Sequence, residues 1–152
     1  MMVASQGARI LLVDDDSAVR TLLRLILQRD GHHVQAADNG RAALALFAPH
    51  AFDLVITDFC MPEMPGDELI ARIQQLEPDQ PIIMVTSLAE DFETFSRPFL
   101  KLDALLPKPF HVADFRDAVA EVLARRPPAR LCDLPGDPAP LSAGRAETPP
   151  RP

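Results

Sequence analysis

Carboxylates, a hydroxyl and a lysine each follow a short apolar run in this 152-residue chain. Asp14 and Asp15 follow the first run, Asp58 follows the third, Thr86 ends the fourth, and Lys108 lies just after the fifth. If parallel strands bring these ends together, three carboxylates share one crevice and repel one another. A unit-charge pair at about 4 Å interacts by roughly 4 kcal/mol at an effective dielectric constant of about 20. The cluster therefore needs a cation, or one of its acids must hold a proton.

The cation that suits these side chains is a hard divalent metal. Lys108 supplies one positive charge, and a metal ion would supply two more. Oxygen-only ligands favour a hard ion, and two carboxylates that leave room for water suit Mg²⁺ better than Ca²⁺. Asp58 could then attack phosphorus, since an aspartate can form an aspartyl phosphate. The ion and Lys108 would position and neutralise the phosphoryl oxygens, and Thr86 could hydrogen-bond one of them.

Apolar, partly β-branched runs predict the strands that must position these side chains. They predict five strands, over residues 9–13, 34–37, 53–58, 81–86 and 104–106. Apolar residues at helical spacing follow each strand; the helix over 89–96 must end before Pro98. Such alternation predicts an α/β fold with a five-stranded parallel sheet and helices on both faces. The carboxyl ends of its strands meet at one edge, where ligands collect.

The first predicted helix has recognisable boundaries. Asp16 or Ser17 can cap this helix, and Asp16, one residue past the acidic pair, is predicted to be a cap rather than a metal ligand. Gly31 is predicted to end the helix. His32 and His33 are expected to be solvated in the turn that follows.

Composition excludes several classes of function. Acidic residues outnumber basic ones by 22 to 15, which gives a net charge of −7. Nucleic acid is therefore not an expected partner, since a phosphate backbone is bound by clustered Lys and Arg. Cys60 and Cys132 lie far apart, so neither a disulfide nor a zinc site is expected. No apolar run is long enough to span a membrane, and a cytoplasmic protein without membrane contact is expected.

The chain is expected to contain one folded domain between two disordered ends. Residues 1–8 form a short disordered lead, and residues 9–124 form the domain. Residues 125–152 are predicted to be a disordered tail, because eight prolines fall in the last 26 residues with little apolar periodicity. No helix-turn-helix follows residue 124, so a DNA-binding output domain is not expected.

Four motifs, in order and with consistent separations, make the sequence resemble a known family. They are Ile-Leu-Leu-Val-Asp-Asp-Asp at 10–16, Leu-Val-Ile-Thr-Asp at 54–58 with Met61, Pro62 and Gly66 behind it, Val-Thr-Ser at 85–87, and Lys-Pro-Phe at 108–110. Over about residues 9–124 the chain resembles the receiver domain of a two-component response regulator, a CheY-like domain with the flavodoxin-type fold. The resemblance implies a sheet with the strand order 2-1-3-4-5.

The resemblance also implies a magnesium site. Asp15 matches the direct Mg²⁺ ligand, and Asp14 matches the acid that helps to hold the ion, often through water. Asp58 matches the phosphoacceptor and belongs to the same metal site. Cys60 matches the position whose backbone carbonyl binds Mg²⁺, while its thiol is given no role.

The remaining implied residues belong to a switch. Thr86 matches the hydroxyl that turns inward to the phosphoryl group. Lys108 matches the lysine of the site, and the peptide bond before Pro109 is often cis in the family. Leu105 stands where the family usually has an aromatic residue or histidine that moves with the threonine. A leucine has neither a ring nor a polar tip, so the usual pairing of threonine and ring is not expected.

The segment before the fifth strand departs from the family as well. Lys101 and Leu102 stand where a small Gly-Ala pair is usual, and residues 92–100 are unusually apolar. One possibility is that half of this segment faces the core. The other is that the segment forms an exposed surface for a partner. We expect a downstream protein to bind the face made by the helix over 89–96, the fifth strand and the last helix.

The resemblance implies a phosphorylation switch and not an enzyme, beyond self-catalysed phosphoryl transfer and loss. A histidine kinase or a histidine phosphotransfer protein would donate to Asp58, and the chain would be a monomer or a weak dimer. A pseudo-receiver, which binds proteins without phosphate, is the first alternative, and Leu105 favours it. A dehalogenase-like phosphatase is the second, because Asp14 and Asp16 have the Asp-x-Asp spacing; such enzymes carry their nucleophile on the first strand and usually add a cap domain.

Overall fold

The computed structural model describes residues 7–88 and 101–125 of the chain. Five strands are β1 Arg9–Val13, β2 His33–Ala37, β3 Leu54–Thr57, β4 Ile82–Thr86 and β5 Ala104–Pro107. Four helices are α1 Ser17–Arg29, α2 Gly40–Leu46, α3 Gly66–Leu76 and α4 Val112–Arg125. The helix predicted over 89–96, the apolar segment 92–100 and most of both predicted disordered ends lie outside the described residues.

All strand pairs are parallel, and the sheet order is β2-β1-β3-β4-β5. The predicted fold class and strand order are therefore confirmed. Register aligns the carboxyl ends of the strands, because Val13 pairs with Thr57 and Thr86 pairs with Pro107. The residues that follow these positions, Asp14, Asp58 and Lys108, consequently leave the sheet at one edge.

The sheet separates two hydrophobic cores, as its side-chain alternation requires. Leu11 and Val13 face the core formed with α2 and α3, and Ile10 and Leu12 face the core formed with α1 and α4. All residues of β3 and β4 are buried, which is why these strands read as unbroken apolar runs. Each fully buried leucine or isoleucine stabilises the fold by about 1.5–3 kcal/mol, so both cores hold the sheet edge in place.

The start of α1 is fixed by a side-chain cap. Asp16 Oδ1 accepts hydrogen bonds from the backbone N–H groups of Ala18 and Val19, at 2.9 and 3.3 Å. The predicted capping role of Asp16 is confirmed. Gly31 has a φ of +92° directly after the helix, a left-handed conformation that favours glycine.

The prediction for the histidine pair is partly wrong. His33 is exposed but belongs to β2, whose residues pair with β1. His32 is half-buried, and its Nδ1 accepts a hydrogen bond of 3.0 Å from the backbone N–H of Ala8. This contact joins residues 24 positions apart, so local turn composition gave no sign of it.

Within the described ranges, no helix combines the length and the apolar character that crossing a bilayer requires.

Candidate functional site

A lysine and two buried carboxylates form the centre of the carboxyl edge. Lys108 Nζ lies 3.0 Å from Asp14 Oδ2 and 3.3 Å from Asp58 Oδ2. Asp14 is 2% exposed and Asp58 is 8% exposed, so both charges are largely withdrawn from water. Lys108 bridges strands β1 and β3 from a position after β5, and its backbone N–H donates to the Thr86 carbonyl at 2.9 Å. The bond between Lys108 and Pro109 is cis.

Backbone groups hold the Asp58 carboxylate on its other side. Its Oδ1 accepts hydrogen bonds from the N–H groups of Phe59 and Cys60, at 2.7 and 3.4 Å. The Asp58 main chain is tied to β1, since its N–H donates to the Val13 carbonyl at 3.0 Å. A Cβ atom on Gly66 would collide with the Asp58 carbonyl, so only glycine allows α3 to start this close to the site.

Three carboxylates can share one ion here. Ligand oxygens of Asp14, Asp15 and Asp58 all lie within 4.8 Å of one another. Asp15 is exposed while the other two are buried, so the cluster opens to solvent on one side. An oxygen-only set that leaves positions for water fits the preference of Mg²⁺ for carboxylates plus retained waters. The residues present therefore fit a magnesium ion.

The charges of the cluster perturb two ionisable groups. Burial raises the pKa of Asp14, although the Asp16 backbone N–H and Lys108 act in the opposite direction. Burial would lower the pKa of Lys108, but hydrogen bonds and charge from Asp14 and Asp58 together raise it. Lys108 is therefore protonated at neutral pH. The burial of Asp14 opposes part of the stabilisation that its carboxylate gains from Lys108.

Thr86 is fully buried at the end of β4, directly beside the lysine loop. Its Oγ1 accepts a hydrogen bond of 3.1 Å from the Leu88 N–H. A hydroxyl that accepts one hydrogen bond can still donate its own proton to an acceptor that arrives in the site. The hydroxyl thus links the site to the residues that lead into the segment after β4.

Leu105 lies on β5 opposite Met84, two residues before the position that pairs with Thr86. Its side chain is half-buried and packs against the core formed with α2 and α3. It can offer no hydrogen bond to a moving hydroxyl. Whether Leu105 and Thr86 form a switch stays a prediction, as does the predicted metal-binding role of the Cys60 carbonyl; the Cys60 residue itself is exposed.

Sequence reasoning missed one contact of this site. Arg20 Nη1, on α1, donates a hydrogen bond of 2.7 Å to the backbone carbonyl of Asp14. A polar side chain six residues from its partner, in a helix that begins between them, has no signature in composition or periodicity. A second missed contact lies at the opposite edge of the sheet, where Asp53, just before β3, accepts a hydrogen bond of 2.9 Å at its Oδ2 from the Arg9 N–H.

Comparison with known proteins gives one consistent result. The family model described as the response regulator receiver domain matches residues 10–120. The chain is similar to the response regulator receiver protein CpdR of Brucella abortus, with 35% identity over 115 residues that cover 76% of this chain and 96% of that protein. It is also 36% identical to the DNA-binding transcriptional regulator NtrC of Rhizobium meliloti, covering 89% of this chain but only 28% of NtrC.

Solved structures agree with the sequence relatives. The non-phosphorylated HemR receiver domain of Leptospira biflexa has a TM-score of 0.73 and 33% identity, covering 78% of this chain and 95% of that one. The response regulator protein TrrA of Thermotoga maritima, in complex with Mg²⁺ and BeF, has a TM-score of 0.69 and 32% identity. That match covers 76% of this chain and 99% of TrrA.

Proposed function

The chain belongs to the family of response regulator receiver domains, and from that premise we propose that Asp58 accepts a phosphoryl group. Receiver domains are signalling modules of two-component systems that interact with histidine kinases or phosphotransfer proteins. The observation that carries the proposal is the setting of Asp58. Its carboxylate is 8% exposed, is held by two backbone N–H groups and Lys108, and lies within one oxygen cluster with Asp14 and Asp15.

The donor is a phosphohistidine on a histidine kinase or a histidine phosphotransfer protein. An Asp58 carboxylate oxygen forms a bond to phosphorus while the bond from phosphorus to the histidine nitrogen breaks. The electron pair of the broken bond returns to that nitrogen. The N–H groups of Phe59 and Cys60 orient the carboxylate for this attack, and Lys108 neutralises charge on the transferred group.

Asp14, Asp15 and Asp58, with the Cys60 backbone carbonyl, would hold the Mg²⁺ that the cluster fits. When bound, the ion offsets the negative charge of the phosphoryl oxygens. Asp14 also fixes the lysine, because its Oδ2 accepts from Lys108 Nζ at 3.0 Å. This arrangement keeps a positive charge beside Asp58 whether or not the donor is present.

Phosphorylation would replace a single carboxylate charge with a group that carries two charges and three acceptor oxygens. Lys108, whose Nζ lies 3.3 Å from Asp58 Oδ2, and the buried Thr86 hydroxyl are the side-chain donors that we expect this group to recruit. Charge-assisted hydrogen bonds contribute about 1.5–3 kcal/mol each, and inversion of a 1:99 equilibrium needs about 5.5 kcal/mol. Two contacts near the upper end of this range, or three of about 2 kcal/mol each, reach that value and would move the loop after β4, to which the Thr86–Leu88 hydrogen bond connects the site. We place the downstream protein partner on the neighbouring face of β5 and α4.

A pseudo-receiver is the competing function, and Leu105 is the observation that favours it. A half-buried aliphatic side chain at this position removes the ring on which the family's usual response depends. Such a module would bind its protein partner equally well before and after treatment with a phosphoryl donor. It would also show no dependence on Asp58.

Intact-protein mass spectrometry after incubation with acetyl phosphate and Mg²⁺ tests the proposal. The wild-type chain should gain the mass of one phosphoryl group, and Asp58→Asn or EDTA should abolish the gain. Asp38→Asn is the matched control, because Asp38 is an exposed acid that follows β2 at the same sheet edge. No gain in the wild-type chain, or an undiminished gain in Asp58→Asn, would overturn the proposal.

A further inference from the structure

A side chain outside the acidic cluster holds the loop that carries it. Arg20 is half-buried on α1, and its Nη1 donates to the Asp14 backbone carbonyl at 2.7 Å. The Arg20 backbone N–H donates to the Asp16 carbonyl at 2.9 Å, which fixes the first turn of the helix relative to the same loop. The backbone bond is an ordinary helix hydrogen bond, so the guanidinium is the part of Arg20 that ties the end of β1 to the first turn of α1.

The two acids of this connection differ in how they are held. The Asp14 N–H donates to the Ala37 carbonyl at 3.2 Å. Its Oδ1 accepts from the Asp16 N–H, and its Oδ2 accepts from Lys108 Nζ. Asp15 is exposed, and over residues 7–88 and 101–125 its carboxylate has no hydrogen-bond partner. The orientation of Asp15 therefore depends on the backbone from which it projects.

The carbonyl that Arg20 holds belongs to the peptide unit between Asp14 and Asp15. Because a peptide unit is planar, fixing its carbonyl oxygen also fixes the Asp15 nitrogen and Cα. A guanidinium is always charged, and its planar set of donors makes a well-oriented hydrogen bond. Arg20 thus restricts the direction in which the otherwise free Asp15 carboxylate leaves the chain.

We infer that Arg20 is a positioning residue for metal binding: it orients the Asp14–Asp15 peptide so that the Asp15 carboxylate meets those of Asp14 and Asp58. The inference rests on the proposed function, since it assigns Arg20 a part in the same site. A group that contacts a metal ligand without contacting the metal holds that ligand in place. Its removal typically weakens metal binding by about tenfold or more. Loss of the guanidinium should therefore weaken Mg²⁺ binding about tenfold.

Calorimetric titration of the full chain with Mg²⁺ tests this, well below the unfolding temperature. The variants are Arg20→Met, which keeps the aliphatic stem, Arg20→Lys, and Arg24→Met. Arg24 is the matched control, because it lies one turn later on α1, is exposed, and its side chain makes no hydrogen bond or ion pair in the described part of the chain. Arg20→Met should bind Mg²⁺ about tenfold more weakly, Arg20→Lys should be intermediate, and Arg24→Met should match the wild-type chain.

A second readout separates positioning from a general loss of fold. The Mg²⁺ concentration that half-saturates phosphorylation by acetyl phosphate should rise by the same factor in Arg20→Met, while the rate at saturating Mg²⁺ stays near that of the wild-type chain. Equal Mg²⁺ affinity in Arg20→Met and the wild-type chain would overturn the inference, as would an equal loss in Arg24→Met. If Arg20→Met does not fold, Arg20→Lys decides, and unchanged affinity there overturns the inference. Failure of the wild-type chain itself to bind Mg²⁺ would instead count against the proposed function.

Discussion

Replacement of Lys108 by methionine should lower the free energy of unfolding by about 3 kcal/mol at pH 7 without metal. Methionine keeps most of the aliphatic stem and removes the charge. The lysine side chain is 19% exposed and pairs with carboxylates whose side chains are 2% and 10% exposed. The change therefore leaves two buried acids without their shared cation.

The magnitude follows from the two ion-pair distances. At an effective dielectric constant of about 20, a separation of 3.0 Å gives about 5.5 kcal/mol of attraction, and 3.3 Å gives about 5 kcal/mol. These values are upper limits, because burial of the ammonium group disfavours its charge. Burial alone would lower the pKa of Lys108, and the two acids more than offset that effect. Breaking a buried pair by removing one partner typically costs about 3–5 kcal/mol, and the opening toward solvent at Asp15 favours the lower end.

Urea denaturation followed by circular dichroism measures the effect, since a neutral denaturant does not screen the charges. Lys108 has a raised pKa, so its contribution is complete below about pH 10.5 and is lost only as the pH rises through the folded-state pKa. A comparison at pH 7 therefore captures all of it. Lys101→Met is the matched control, because Lys101 is exposed and lies before β5. Added Mg²⁺ should restore part of the lost stability, since an ion that binds the folded state stabilises it.

Two results would refute this reasoning. An unfolding free energy within about 0.5 kcal/mol of the wild-type value, in EDTA at pH 7, would mean that the ion pairs contribute nothing net. An equal loss in Lys101→Met would mean that the cluster is not the cause.

Three further predictions concern neighbouring residues. Gly66→Ala should lower the free energy of unfolding by about 1–3 kcal/mol, because the added methyl group meets the Asp58 carbonyl; urea denaturation measures this, and an unchanged midpoint would contradict it. Burial lowers the pKa of His32, whose Nδ1 accepts a hydrogen bond from the Ala8 N–H. The stabilisation by neutral His32 is therefore complete above about pH 6.5 and is lost as the pH falls through its folded-state pKa. His32→Asn should flatten the stability profile in that range, and an unchanged profile would show that another group titrates there. Burial and the nearby Asp58 charge raise the pKa of Asp14, and Lys108 keeps Asp58 as its partner when Asp14 is replaced. Asp14→Asn should therefore gain stability over the wild-type chain at pH 7, and the gain should shrink as the pH falls toward about 3.8. Thermal unfolding across this range checks the sign, and a gain that grows with acid would contradict it.

Local patterns were sufficient to predict the five strands, and the family resemblance supplied their order. The runs that became β3 and β4 are buried on both faces, so their apolar character identified them without any partner. Asp16 could be predicted as a cap because capping depends only on the three residues that follow it. Strand limits differed from the prediction by one residue at several ends. At β4 the cause is visible: the strand begins at Ile82, because Pro81 has no N–H to donate.

Contacts that depend on how the elements are placed in space could not be predicted in the same way. His32 is held by Ala8, and the Arg20 guanidinium reaches back to the Asp14 carbonyl. Both depend on where α1 ends and begins in space, which periodicity does not encode. The acidic cluster itself was predictable because parallel register brings strand ends together, whereas the way the Asp15 carboxylate is oriented was not.

Reductive trapping of the phosphorylated chain tests the central claim most directly. Borohydride cleaves an aspartyl phosphate and leaves homoserine at the residue that carried the phosphoryl group, which peptide mass spectrometry can locate. After treatment with acetyl phosphate and Mg²⁺, we predict homoserine at position 58 and at no other acid of the cluster. Homoserine at position 14 would instead indicate a nucleophile on the first strand, as in a dehalogenase-like phosphatase, and would contradict the assignment of Asp58.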